Sequence, residues 1–209
     1  MCLNSRRLRS LFGILFMSLS FSFAQESETE EEQDNMPYVQ IFTSSIFPNA
    51  LGSNFLSEAY IVKQGFMGDI LILFDNRLYV GLQGIYNNAD VENTALVGQF
   101  GRSKIRHHYV QGGYSFLPRA KKLGLTAGLG IGYARYKNRK GSTKFFDDGF
   151  SIMTNARLSY RLSPEVGLQS GIQFSNDFMN TDVAPELESF FKNAQTLYFS
   201  VGLAFYIGD

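Results

Sequence analysis

The chain has 209 residues, 44% of them hydrophobic and 18% charged, with 19 Lys and Arg balancing 19 Asp and Glu. That length gives one domain with one core. Zero net charge excludes a nucleic-acid binder held by bulk charge, and apolar runs well short of about 20 residues exclude a bundle of membrane helices. With 20 Gly, 20 Phe, 11 Tyr and 5 Pro, the composition leaves soluble all-β proteins and membrane β-barrels.

Residues 1–24 read as a secretory signal peptide. Arg6, Arg7 and Arg9 form a positive start without acids, residues 11–23 are almost wholly apolar or Ser, and Ala24 precedes Gln25. That order fits cleavage after Ala24, and the apolar stretch is too short to span a bilayer. Cys2, the only cysteine, precedes the apolar stretch, so a cleaved chain has no thiol to lipidate and no disulfide. Residues 25–35 hold six acids and nothing apolar to bury, which predicts a disordered, solvated leader. A barrel domain is then expected over 36–209.

From there the chain alternates with period two. In residues 123–136, Leu123, Leu125, Ala127, Leu129, Ile131 and Tyr133 share one parity, while Gly124, Thr126, Gly128, Gly130, Gly132 and Ala134 share the other. This is a strand with an apolar face and a face of small residues. Residues 78–87, 105–117, 150–162, 166–176 and 197–207 repeat the pattern. Residues 60–74 are longer and less regular, and 38–47 are extended without a fixed phase. Eight strands result. Tight turns are expected at Asp75-Asn76-Arg77, at 118–122 and at Ser163-Pro164. Longer connections are expected at 48–57, 88–104, 138–149 and 177–195. Short and long alternate, which puts the turns at one end and the loops at the other, as in membrane barrels.

Alternation alone suits a soluble ligand-binding barrel equally well. The charges separate the two. The stretches 60–74, 78–89, 110–116, 123–134, 150–160, 166–176 and 197–207, 79 residues together, contain only Lys63, Asp69 and Arg157 as charged residues. A soluble barrel needs charge on its outer face; here the less apolar face is Gly, Ser, Thr, Gln, Asn and Tyr, which suits a narrow polar lumen. Outward Phe74, Phe116, Tyr160 and Phe205 are expected at the periplasmic rim, and Phe150, Tyr86, Tyr133 and Phe174 at the outer rim, as interfacial girdles. The fold class expected is therefore all-β, an eight-stranded antiparallel up-and-down transmembrane β-barrel.

The signal peptide, the eight strands and the closing segment 200–207 resemble small outer-membrane β-barrel proteins, in the style of the OmpA/OmpX-like barrels and the porin-family or PorT-type proteins of Bacteroidota. The resemblance implies a Gram-negative outer membrane and a final-strand signal read by barrel-assembly machinery. Ser200, Gly202, Phe205 and Ile207 match that signal, although the chain ends in Gly208-Asp209 rather than an aromatic residue. It also leaves open a role assisting a secretion apparatus.

No catalytic constellation is expected, nor a cofactor or metal. His107 and His108 are adjacent in an extended segment and point to opposite faces, without cysteine to support a metal. Gln173-Phe174-Ser175-Asn176, with Glu186 and Glu188 downstream, is similar to the His-x-Ser-Asn segment of PagL-type lipid A deacylases. Gln173 stands where the base would be and cannot deprotonate Ser175 near neutral pH. An eight-stranded lumen lined by Tyr109, Gln111, Gln169, Gln173, Tyr198 and Tyr206 is expected to be packed rather than conducting. The functional lead is a basic cluster at the outer ends of strands four and five: Arg102, Lys104, Arg106, Arg135, Lys137, Arg139 and Lys140, with Lys144 nearby. These residues are candidates for contact with lipopolysaccharide phosphates. The expectation is a monomeric, non-enzymatic envelope protein with outer-membrane lipid and lipopolysaccharide as partners.

Overall fold

The computed structural model describes residues 39–207 except Asp75, Pro118, Arg119, Ala120, Asp182 and Ala184. The signal peptide with its cut after Ala24, the leader over 25–35, and Gly208-Asp209 lie outside the described residues. The strands are β1 (Val39–Leu51), β2 (Tyr60–Val62 and Gly65–Leu73), β3 (Leu78–Val91), β4 (Arg102–Ser115), β5 (Leu123–Lys140), β6 (Thr143–Arg161), β7 (Val166–Met179) and β8 (Asn193–Ile207). Each pairs antiparallel with its neighbours in the chain. β8 returns to β1, with Ile207 opposite Val39 and Gln195 opposite Leu51, which closes a barrel without a free edge.

Register fixes the shape. Paired residues followed once around run from Val39 through Ile72, Val80, Gly112, Leu129, Thr154, Phe174 and Leu197 to Asn49, ten residues along β1. Eight strands with that stagger tilt by about 40° and enclose a lumen that side chains can fill.

β2 is irregular because it carries a bulge. Val62 lies opposite Ala89, but Phe66 lies opposite Tyr86, so β2 accommodates one extra residue near Lys63. The Lys63 N–H donates to the Asn88 carbonyl at 2.8 Å, and the Asn87 amide donates to the Lys63 carbonyl at 3.0 Å. The bulge reverses parity: Tyr60 is buried on one side of it, Met67, Asp69 and Leu71 on the other. β1, whose phase the sequence leaves open, turns Phe42, Ser44 and Ile46 inwards.

The outward residues form a continuous apolar belt. Leu82, Val110, Leu129 and Val201 are each 60% exposed or more. Phe150 and Tyr160, ten residues apart on β6, bracket the belt over roughly 24 Å along the axis, the thickness of a hydrocarbon layer. Among the described residues no charged side chain points outwards between those levels. Such a surface is stable only against lipid, so the soluble-barrel alternative is displaced.

Inside, the lumen is filled from end to end. Phe42, Leu71, Leu73, Tyr79, Ala204 and Tyr206 close the periplasmic end. At the outer mouth sits helix α1 (Phe55–Ala59), whose N-terminus is capped by the Asn54 carboxamide oxygen accepting from the N–H groups of Leu56 and Ser57 at 3.0 and 3.1 Å. The cap aims Phe55 and Leu56 into the barrel, where Phe55 packs against Tyr60, Tyr136 and Phe191. Two shorter helices, α2 (Thr94–Val97) and α3 (Glu188–Phe191), lie in the connections β3–β4 and β7–β8.

One connection differs from expectation. Residues 138–149 are mostly strand: β5 runs to Lys140, β6 starts at Thr143, and Gly141, at φ +59°, provides the turn. The hairpin stands out beyond the apolar belt. Its outward face meets water there rather than lipid, so the polarity of the alternation inverts, with Ala134, Tyr136 and Asn138 buried and Arg135 and Arg139 exposed.

Candidate functional site

Two polar networks fill the lumen. In the lower half, Arg157 Nη2 donates to Asp69 Oδ1 at 2.7 Å, and the Gln83 and Gln111 amides donate to the same oxygen at 2.8 and 2.7 Å. Asn155 Nδ2 and Arg157 Nη2 donate to Gln111 Oε1 at 2.9 and 3.2 Å, and the Arg157 guanidinium lies 5.5 Å from the Phe42 ring centroid. Asp69 and Arg157, two of the three charges in the seven stretches counted from the sequence, thus neutralise each other across the barrel. The third, Lys63, sits at the bulge and pairs with Asp90.

In the upper half the Asp177 carboxylate gathers three partners. His107 Nε2 lies 2.8 Å from Oδ2, the Tyr136 hydroxyl donates to Oδ2 at 2.6 Å, and Ser151 Oγ donates to Oδ1 at 2.5 Å. Tyr109 stacks on the His107 ring and its hydroxyl pairs with Ser151 at 2.8 Å. His107 and His108 do face opposite ways: His107 is fully buried, while His108 packs edge-on to the outward Tyr86. Gln173 and Ser175 are buried in the lumen, Asn176 turns to the lipid side, and Glu186 and Glu188 lie in the β7–β8 connection. Ser175 therefore faces away from lipid, and the His107 nitrogen Nε2 is engaged by Asp177. Among the described residues no group of three or more His, Cys, Asp or Glu could hold a metal.

The basic cluster is more ordered than its sequence spacing suggests. β4 and β5 place Arg102 directly opposite Arg139, Lys104 opposite Lys137, and Arg106 opposite Arg135. All six stand on the outward face, two abreast and three deep. Lys144 continues the row opposite Arg139. Lys140 does not join them, because alternation puts it on the other face of the hairpin tip. The ladder begins just above the outer girdle: Arg106 lies 5.8 Å from the Tyr86 ring centroid and Arg135 5.2 Å from that of Tyr133. On the inner side, Asn138 ties Ser103, Tyr60 and Asp147 together, which holds β4 and β5 in register.

Like charges directly opposite on a sheet repel. Arg135 is relieved by Asp148, which takes its Nε–H at 2.7 Å, and that hydrogen bond holds the Asp148 carboxyl below the usual range. Lys137 has no such relief. Reduced solvation, followed by the fields of Lys144, Arg106, Lys104 and Arg139, lowers its ammonium from the ordinary lysine value. Phe146, half exposed, sits 5.6 Å from Lys137 Nζ.

No protein-family model and no curated protein matches the chain. Solved structures do. The neisserial surface protein A is 17% identical, with a TM-score of 0.55 over 81% of this chain and 96% of that one. The outer membrane protein OprG of Pseudomonas aeruginosa is 10% identical, with a TM-score of 0.55 over 86% of this chain and all of that one. The architecture is that of the small outer-membrane barrels.

Within that fold, the assembly-signal candidates divide by face. Ser200 and Gly202 point into the lumen, and Phe205 and Ile207 point out at the periplasmic end. The aromatic girdles stand where alternation puts them, with Phe74, Phe116 and Tyr160 exposed at one rim and Tyr86, Tyr133 and Phe150 at the other.

Proposed function

We infer that this chain is a non-enzymatic outer-membrane protein, directed there by a cleaved signal peptide, whose outer basic ladder holds the phosphates of lipopolysaccharide. The observation that carries this reading is the stacking of three like-charge cross-strand pairs on one outward face, starting at the level of the aromatic girdle. Charge repulsion makes that arrangement unfavourable in the free protein, and a phosphate between each pair reverses the sign. Arg at four of the six positions suits bidentate phosphate contacts. The height also fits, since the lowest pair lies at lipid headgroup level and the upper two reach into the phosphorylated saccharide above it. The packed lumen supports an envelope-structural or surface-interaction role over conduction. A monomer inserted by barrel-assembly machinery through Ser200, Gly202, Phe205 and Ile207 is part of the same reading.

The test is reversal of Arg106 and Arg139 to Glu, with lipopolysaccharide that co-purifies in mild detergent measured per folded protein. The expected result is a fall of about tenfold or more, and in the unmodified protein retention should be greater at low than at high ionic strength. Lys137→Met, which removes a repelled charge, should weaken retention while leaving unfolding stability equal or higher. Unchanged lipopolysaccharide in the double reversal contradicts the reading.

A further inference from the structure

The belt is hollowed on the wall formed by β3, β4 and β5. Between Leu78 and Val80 of β3 and Leu129 of β5 lies a shallow groove of about 680 Å³, flanked on its periplasmic side by Phe74 and Tyr114. Its floor is bare backbone where Gly112 of β4 and Ala127 of β5 point outwards.

The glycines around it are not equivalent. A Cβ on Gly113 or Gly128, which face the lumen, would strike the Tyr79 phenol. Packing inside the barrel therefore requires those two. A Cβ on Gly112 would meet only the Tyr79 carbonyl, at 3.5 Å, an ordinary contact. Nothing within the protein requires Gly112 to lack a side chain, and glycine weakens a strand interior unless something approaches closely. Its bare Cα leaves the outer surface open over the groove.

Depth and charge name the occupant. Gly112 is six residues below Arg106 on β4, roughly 14 Å along the axis at this tilt. It therefore lies at or just below the middle of the belt, and the groove continues to the periplasmic girdle. A chain entering from the outer leaflet ends where the groove begins. At the periplasmic end stand Arg77, in the β2–β3 turn, and the exposed Lys121 and Lys122, before β5. The β2–β3 turn reaches the end of β4, since the Ser115 N–H donates to the Arg77 carbonyl at 2.9 Å.

We propose that this groove is a binding site for one glycerophospholipid of the periplasmic leaflet, its acyl chain lying over Gly112 and its phosphate meeting Arg77, Lys121 and Lys122. The proposal rests on the membrane-barrel reading and is independent of the lipopolysaccharide ladder.

The experiment is native mass spectrometry of the detergent-extracted barrel titrated with phosphatidylglycerol. The unmodified protein should keep one phospholipid. Gly112→Leu, which fills the groove, should lose it, whereas Gly68→Leu should keep it. Gly68 is equally outward, and a Cβ there meets nothing nearer than the Phe66 ring at 3.7 Å. Replacing both Lys121 and Lys122 by Ala, outside the membrane, should weaken retention without touching the wall. Retention by Gly112→Leu equal to the unmodified protein overturns the proposal, as does an adduct with the mass of lipopolysaccharide or of a second copy of the chain. Heat-modifiable gel mobility, run on every variant, identifies failure of the barrel itself: if the unmodified protein lacks it, the membrane reading has failed rather than the groove.

Discussion

Replacing Arg157 by Met is expected to lower the barrel's unfolding free energy by about 3–5 kcal/mol, the range for removing one partner of a buried ion pair. Asp69 is fully buried, and without Arg157 its carboxylate keeps only the neutral amides of Gln83 and Gln111. Replacing Asp69 by Asn as well removes the stranded charge and should restore more than half of the loss. The two variants differ mainly in charge, so the comparison isolates the electrostatic part from packing against Phe42. Equilibrium unfolding in urea, with the protein in lipid vesicles, measures both. A loss below about 1 kcal/mol in the single variant would mean that water reaches Asp69 and that the lumen is not packed.

The second large effect is expected at the seam. Gly202 of β8 lies opposite Ser44 of β1, and a Cβ there would run into the Thr43 carbonyl and the Ser44 Cα. Backbone cannot give way as a side chain can, and the β8–β1 pairing is the one that closes the barrel. Gly202→Ala should therefore cost about 3 kcal/mol and reduce the fraction of protein that reaches the closed form. Gly112→Ala, in the open groove, should leave stability equal or slightly higher, because nothing in the protein opposes the added Cβ and glycine weakens a strand interior. Comparing folded fractions of the two in one refolding assay checks this; equal yields would show that β1 shifts at the seam to make room.

Much of this was legible in the sequence. Where the outer wall of β4, β5 and β7 meets lipid, outward side chains are mostly apolar and inward ones mostly small or polar, so parity assigns Leu129 outside and Gln111 inside. The reading weakened where that contrast fails physically. At Lys63 the bulge inserts a residue, so no single phase fits residues 60–74. Beyond Tyr133 the outer face leaves the lipid, so the same alternation carries Arg and Lys outwards and looked like a loop over 138–149. The inverted pattern from Ala134 to Arg139 was the available signal. The cationic cluster was readable as composition, but its cross-strand register was not, because that depends on the stagger between β4 and β5. The lumen networks lay further out of reach. Asp69 and Arg157 are 88 residues apart, and only closure of the barrel brings them to 2.7 Å. His107 meets Asp177 for the same reason, across 70 residues.

The most direct test of the account is the gel mobility of the protein taken from membranes in mild detergent, loaded with and without boiling. A closed barrel with a lipid-facing belt resists the detergent, so the unboiled protein should run as a faster, compact band that shifts on boiling. A single band unaffected by boiling, with the protein recovered in the soluble periplasmic fraction, would contradict the outward assignment of the apolar face and with it both lipid sites.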